Sequence, residues 1–142
     1  MNRLNIRAIS AAAMLALTLS ACSGDSSSST GPSINPVGSW AGTTSQSLPF
    51  SFVVTSAGLT SVTIKYHLNG SRCSYDSDVS VSGPAVPVTN NAISISSMTL
   101  GPGTTLSATG TFSSSTASSG SFSIGDTSCG GTTSGSWTAT KH

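Results

Sequence analysis

The sequence predicts an all-β fold, an antiparallel meander of about eight strands that closes as a small barrel or a sandwich after a leader and a polar tether. Three observations carry this expectation. From about Pro36 to His142, apolar residues recur at every second position in short segments, which is the period of half-buried strands. Gly, Asn and Pro punctuate those segments at hairpin distances. Only 6% of residues are charged and none is Glu, while Ser, Thr and Gly fill the polar places, a composition that argues against a soluble helical protein.

In chain order, residues 1–7 (MNRLNIR) carry two arginines and no acid, and the run from Ala8 to Ala21 carries no charge at all. This is the order of regions in an export signal. As a helix the run would be about 21 Å long, short of the roughly 30 Å hydrocarbon core that a permanent span must cross. It ends on Leu19-Ser20-Ala21-Cys22, which resembles the lipobox of bacterial lipoproteins. The resemblance implies removal of residues 1–21, a diacylglyceryl thioether on Cys22 and acylation of the new amino terminus. It also implies residence in the bacterial cell envelope, with delivery to the outer membrane where there are two membranes. Acyl chains at about 0.8 kcal/mol per buried methylene hold such a protein to the bilayer. Residues 22–35 then form the lipidated cysteine and a Ser-rich tether, because a segment with one apolar residue between Ser23 and Asn35 buries too little surface to offset the entropy of ordering.

The domain occupies residues 36–142. Strands are expected to start near Val37, Phe50, Leu59, Asp78, Ala92, Thr104, Gly120 and Thr133. Inward sets include Phe50, Phe52 and Val54, then Val62, Ile64, Tyr66 and Leu68. The register jumps between Val81 and Val86 across Gly83-Pro84, as a bulge in one long bent strand would produce. Asn69-Gly70 and Asn90-Asn91 read as hairpin turns. With first and last strands adjacent in a closed barrel, Trp40 and Trp137 belong to the core, although a surface platform with Tyr75 for sugars or peptides is a second reading. Once Cys22 is lipidated, Cys73 and Cys129 remain. They follow strands three and seven, which finish at one end of a meander, so a disulfide is expected.

The search for chemistry excludes more than it finds. Without residues 1–21, Lys65, Arg72 and Lys141 face Asp25, Asp76, Asp78 and Asp126, a formal charge of −1, so no basic stripe for nucleic acid exists. There is no G-x-S-x-G, no H-E-x-x-H and no phosphate-cradling loop, and His67 is the one internal imidazole. It reads as an outward residue beside Lys65, and no catalytic residue is assigned. The expected disulfide would draw Asp76, Asp78 and Asp126 toward one rim. Their spacing is not that of an EF-hand, and they are read as solvated acids, with no metal and no cofactor assigned. With Arg72 and Tyr75 they form a candidate binding rim.

GSWAGT at residues 38–43, GTF and GSF at 110–112 and 120–122, and SGSWTAT at 134–140 resemble a recurrent small β domain of bacterial lipoproteins whose activity is uncharacterised. The architecture is also similar to that of lipoprotein lysozyme inhibitors, without their Tyr and Cys motifs. The expected function is a lipid-anchored binding or structural module of the envelope, with an envelope protein or glycan as partner and no enzymatic activity. The alternatives are a lipocalin-like barrel for a small ligand, suggested by the small interior residues Ala108, Gly110 and Ala139, and an inhibitor-like lipoprotein.

Overall fold

The computed structural model describes residues 33–142. The leader, Cys22 and most of the tether therefore lie outside the described residues. Eight strands follow one another: β1 (Gly38–Thr44), β2 (Pro49–Thr55), β3 (Gly58–Asn69), β4 (Ser74–Val86), β5 (Ala92–Gly101), β6 (Thr104–Phe112), β7 (Ala117–Asp126) and β8 (Gly131–Lys141). They form one antiparallel sheet in the order β4-β3-β2-β1-β8-β7-β6-β5, curled into a nearly closed barrel. No helix among the described residues is long and apolar enough to cross a membrane.

Six of the seven consecutive strand pairs are hydrogen-bonded hairpin neighbours, and β1 pairs with β8 from Trp40↔Lys141 to Thr44↔Trp137. The adjacency of first and last strands is thus as the sequence predicts. The exception is β4 and β5, which follow each other in sequence and yet make no ladder. Here the expected meander is interrupted, since these two consecutive strands are not paired neighbours. Pro84 near the end of β4 and Pro87 in the connection offer no N–H to a partner strand. Thr89 and Ala92 close a separate two-residue turn, in which Asn90 and Asn91 both take positive φ (51° and 59°). The barrel opens between β4 and β5, whose facing edges have no strand partner among the described residues.

The inward faces meet in an aromatic core. Trp40 stacks on Phe52 (centroids 5.7 Å, planes 3° apart), Phe112 tilts against Trp40 at 5.0 Å, and Trp137 lies 4.7 Å from Phe50. Both tryptophans are fully buried, which settles them as core. The small interior residues have a purpose that the sequence does not reveal. A Cβ on Gly120 would come within 2.6 Å of the Trp137 indole, and one on Gly110 would also strike it. At these two positions the missing side chains make room for the Trp137 ring.

Most strand starts fall within two residues of expectation. β4 begins four residues early at Ser74 and β7 three early at Ala117. The bulge across Gly83-Pro84 is present, since Leu59 pairs with Val86 but Ser61 with Ser82. The tether docks sooner than its composition suggests. Ile34 packs against the core, the Trp40 indole N–H donates to the Pro36 carbonyl (2.9 Å), and Lys141 Nζ donates to the Asn35 carbonyl (2.9 Å).

Candidate functional site

The antiparallel order divides the loops between two ends of the barrel. The chain enters β1 at the end that holds the Ser56-Ala57 turn, the 87–91 connection and the C-terminus; there Gly38 pairs with Val54 and the His142 N–H donates to Ser39. At that end Pro36, Val37, Ala57, Pro87, Val88 and Asn90 help to line a surface cleft of about 480 Å³. The 71–73 and 127–130 turns lie at the other end.

There Cys73 and Cys129 form a disulfide, with Cα atoms 5.2 Å apart across 56 residues of sequence. Main-chain contacts support it: Gly70 bridges to Gly131, the Ser71 N–H donates to the Gly130 carbonyl (3.2 Å) and the Arg72 N–H to the Cys129 carbonyl (3.1 Å). A Cβ on Gly131 would lie 2.5 Å from the Gly70 Cα, so only two glycines allow this approach. That requirement also moves the turn. The Gly70 N–H donates to the Cys73 carbonyl (2.8 Å), which puts Ser71 and Arg72 at the corners instead of Asn69-Gly70. Gln46, in the β1–β2 turn, adds a third tie. Its carboxamide donates to the His67 carbonyl (2.9 Å) and Thr133 Oγ1 (3.0 Å) and accepts from the His67 N–H (3.0 Å), linking β3 to β8.

The five residues of the expected rim do not form one cluster. Strand parity separates them: Tyr75 points inward, whereas Asp76 and Asp78 point out. The Tyr75 hydroxyl donates to Asp126 Oδ2 at 2.6 Å, and the other Asp126 oxygen accepts the N–H groups of Ser128 (2.7 Å) and Cys129 (3.0 Å). Thr104 Oγ1 also donates to this carboxylate, at 3.4 Å. These hydrogen bonds, that from Tyr75 first, hold the Asp126 carboxyl below the usual carboxylate range. The same contact, followed by burial, pushes the Tyr75 phenol well above its ordinary value. Asp126 is therefore occupied in fastening β4, β6 and the β7–β8 turn together. Arg72 stands exposed at the hairpin tip and forms no ion pair among the described residues.

The β3–β4 hairpin carries a polar row on its outward face. His67 Nδ1 lies 2.6 Å from Asp76 Oδ1, its cross-strand partner, and His67 Nε2 lies 3.4 Å from Ser74 Oγ. Ser, His and Asp are thus in sequence, a combination that composition alone could not single out. The Ser74 hydroxyl, however, donates to Asn69 Oδ1 at 2.5 Å, which directs its proton away from the imidazole. The row also lies open to solvent on a sheet face, with Asp76 81% exposed, so nothing excludes water or holds an acyl group. Asp78 sits one pair further along, opposite Lys65. No group of three His, Cys, Asp or Glu residues is close enough to hold a metal ion among the described residues.

Comparison of the chain with family models, with curated proteins and with solved structures returned no match.

Proposed function

We propose that this protein is a lipid-anchored lipoprotein of the bacterial cell envelope, most consistent with the outer membrane, whose β domain works by binding an envelope protein or glycan rather than by catalysis. The observation that carries the reading is the polarity of the barrel. The chain arrives from Cys22 at one end, and the disulfide end, with the Arg72 hairpin tip and the outward Asp76 and Asp78, is opposite. A domain anchored through Cys22 would present that end away from the bilayer. The cross-ties of the disulfide, Gln46 and Asp126 support the same reading, because loops held rigid before binding lose less entropy on association.

Two measurements test the two parts separately. Cells fed radioactive palmitate should label the wild-type chain and not Cys22→Ala; undiminished label in the variant removes the anchor from the reading. Capture from envelope protein and glycan fractions by the full-length protein tests binding, and the absence of any captured component under conditions that retain the fold removes the module. A hydrolase reading has one observation in its favour, the Ser74-His67-Asp76 row. A fluorophosphonate probe that labelled Ser74, with label lost in His67→Ala, would establish it in place of binding.

A further inference from the structure

We infer that the free edge of β4 is a docking edge for an extended peptide strand that carries basic residues at alternate positions. This rests on the reading of the domain as a binding module and names its class of partner; it does not depend on the lipid anchor.

β4 is the longest strand, Ser74–Val86, and none of its side chains is fully buried. One edge pairs with β3, and no main-chain hydrogen bond joins the other to β5 among the described residues. The alternation of an antiparallel ladder identifies the free groups. Gly70 and Cys73 form the hydrogen-bonded pair that closes the hairpin, so Leu68↔Tyr75, Tyr66↔Ser77, Ile64↔Val79 and Val62↔Val81 are bonded pairs as well. Ser74, Asp76, Asp78, Ser80 and Ser82 fall between them and turn their N–H and C=O groups to the opening. This stretch is unbroken in register from Ser74 to Ser82 and ends before Pro84, which has no N–H to offer. β5 is a poorer template, because its register shifts twice, between Ile95 and Met98 and between Thr99 and Gly101.

The side chains define what the edge would accept. On the inward side Val79 and Val81 on β4, and Met98 and Leu100 on β5, are only half-buried, so an added strand with apolar inward residues would remove further apolar surface from water. On the outward side the residues with free main-chain groups include Asp76 and Asp78. A strand hydrogen-bonded to them places its own outward residues directly opposite, where opposite charges stabilise and like charges do not. Two basic residues separated by one apolar residue therefore fit. A second copy of this chain fits badly, since pairing β4 with itself over Ser74–Ser82 sets Asp78 against its own copy. The recognition mode is β-augmentation, in which main-chain bonds supply affinity and alternate side chains supply specificity.

The test titrates the full-length protein in detergent with a ten-residue peptide of alternating Lys and Val, against a Ser/Val alternation and a Lys/Val peptide of the same composition with its lysines grouped. Residue-resolved hydrogen exchange is followed on β4. The alternating basic peptide is expected to bind and to protect the amides of Asp76, Asp78 and Ser80. Asp76→Asn with Asp78→Asn should weaken it by about two- to thirtyfold, the range for two lost opposite-charge pairs. Ser80→Pro, which removes one free-edge N–H and leaves the bonded pairs intact, should weaken it as well. The inference is overturned by binding without amide protection, by equal affinity for all three peptides, or by self-association of the double variant in place of peptide binding. That last outcome would make the two carboxylates guards of an exposed edge. Capture of an envelope partner that is indifferent to all these variants would also overturn it, while leaving the binding module intact.

Discussion

The two halves of the sheet bury similar residues and expose different ones. In β1–β4 the outward positions include Lys65, His67, Asp76 and Asp78, whereas those of β6–β8 run Thr105, Ser107, Thr109 and Thr111, then Ser119, Ser121 and Ser123, then Thr132, Ser134, Ser136, Thr138 and Thr140. The second half carries charge only near its ends, at Asp126 and Lys141. Its inward positions are nevertheless mainly apolar, with Leu106, Phe112, Phe122, Ile124 and Trp137 buried and Ser118 a buried hydroxyl among them. Folding is thus specified by one face of each strand, and the other face is free to vary. One half has reduced that free face to hydroxyls, while the other has kept charge on the strands beside the open edge. A surface of hydroxyls is soluble and offers little for selective recognition, which places any recognition more naturally in the first half.

The largest expected effect tests whether the halves share one core. Trp137 belongs to β8 but packs on Phe50 and Phe52 of β2, so its loss should unfold both halves together. Trp137→Ala is expected to cost about 3–5 kcal/mol. In a urea titration, tryptophan fluorescence from Trp40 and far-ultraviolet circular dichroism should report a single shared transition. Two separate midpoints would show that the halves are independent units that merely touch. Reduction of Cys73–Cys129 comes next. On the loop-entropy account a 56-residue closure contributes roughly 4 kcal/mol, so reduction should lower Tm by about 10 °C or more. A shift of only a degree or two would mean that Gly70–Gly131 and Gln46 already hold that end together.

A smaller effect should appear in the pH dependence, because the Tyr75–Asp126 contact is the side-chain tie from β4 to the second half. The Asp126 carboxyl is held below its ordinary value of 3.8, so it contributes stability above that pH which is lost as pH falls through its lower value in the folded protein. The Tyr75 phenol is raised above 10.0, so its contribution is intact below pH 10 and lost as pH rises beyond it. Wild-type Tm should therefore fall at both extremes. Asp126→Asn should flatten the acid limb and Tyr75→Phe the alkaline one, each with a Tm a few degrees lower at neutral pH. Unchanged limbs in both variants would show that the two halves are coupled by other groups.

Much of this comparison was legible in the sequence. Strand number, inward faces, the β1–β8 closure and the meeting of Cys73 with Cys129 all follow from the period of two and the counting of odd strands. The place where the barrel opens did not follow, because a short connection normally implies a paired hairpin and only the geometry of the Thr89–Ala92 turn shows that this one does not. The polar row was hidden by two residues of turn. With corners at Asn69-Gly70, His67 would face Arg72; with corners at Ser71-Arg72 it faces Asp76. The decision depends on Gly131 and Cys129, some sixty residues away. The Tyr75–Asp126 bond was equally out of reach, since strand parity places Tyr75 inward but does not say which carboxylate its hydroxyl meets.

The smallest expected effect is the sharpest test of the difference between the halves. Thr109 and Ser121 are cross-strand partners whose hydroxyls lie 2.9 Å apart on the outer face of β6 and β7, and Thr63 and Ser80 make an equivalent 2.9 Å pair on β3 and β4. Each exposed pair is worth about 0.2–1 kcal/mol, so replacing both members by alanine should lower stability by a similar small amount in either half. Their effects on partner capture should differ. The β6–β7 double variant should leave it unchanged, whereas the β3–β4 double variant alters the outward face next to Asp78 and should weaken it. If instead capture survives the β3–β4 change and is lost with the β6–β7 change, the hydroxyl face is the recognition surface, and the charges beside the open edge serve only to keep it from pairing with other chains.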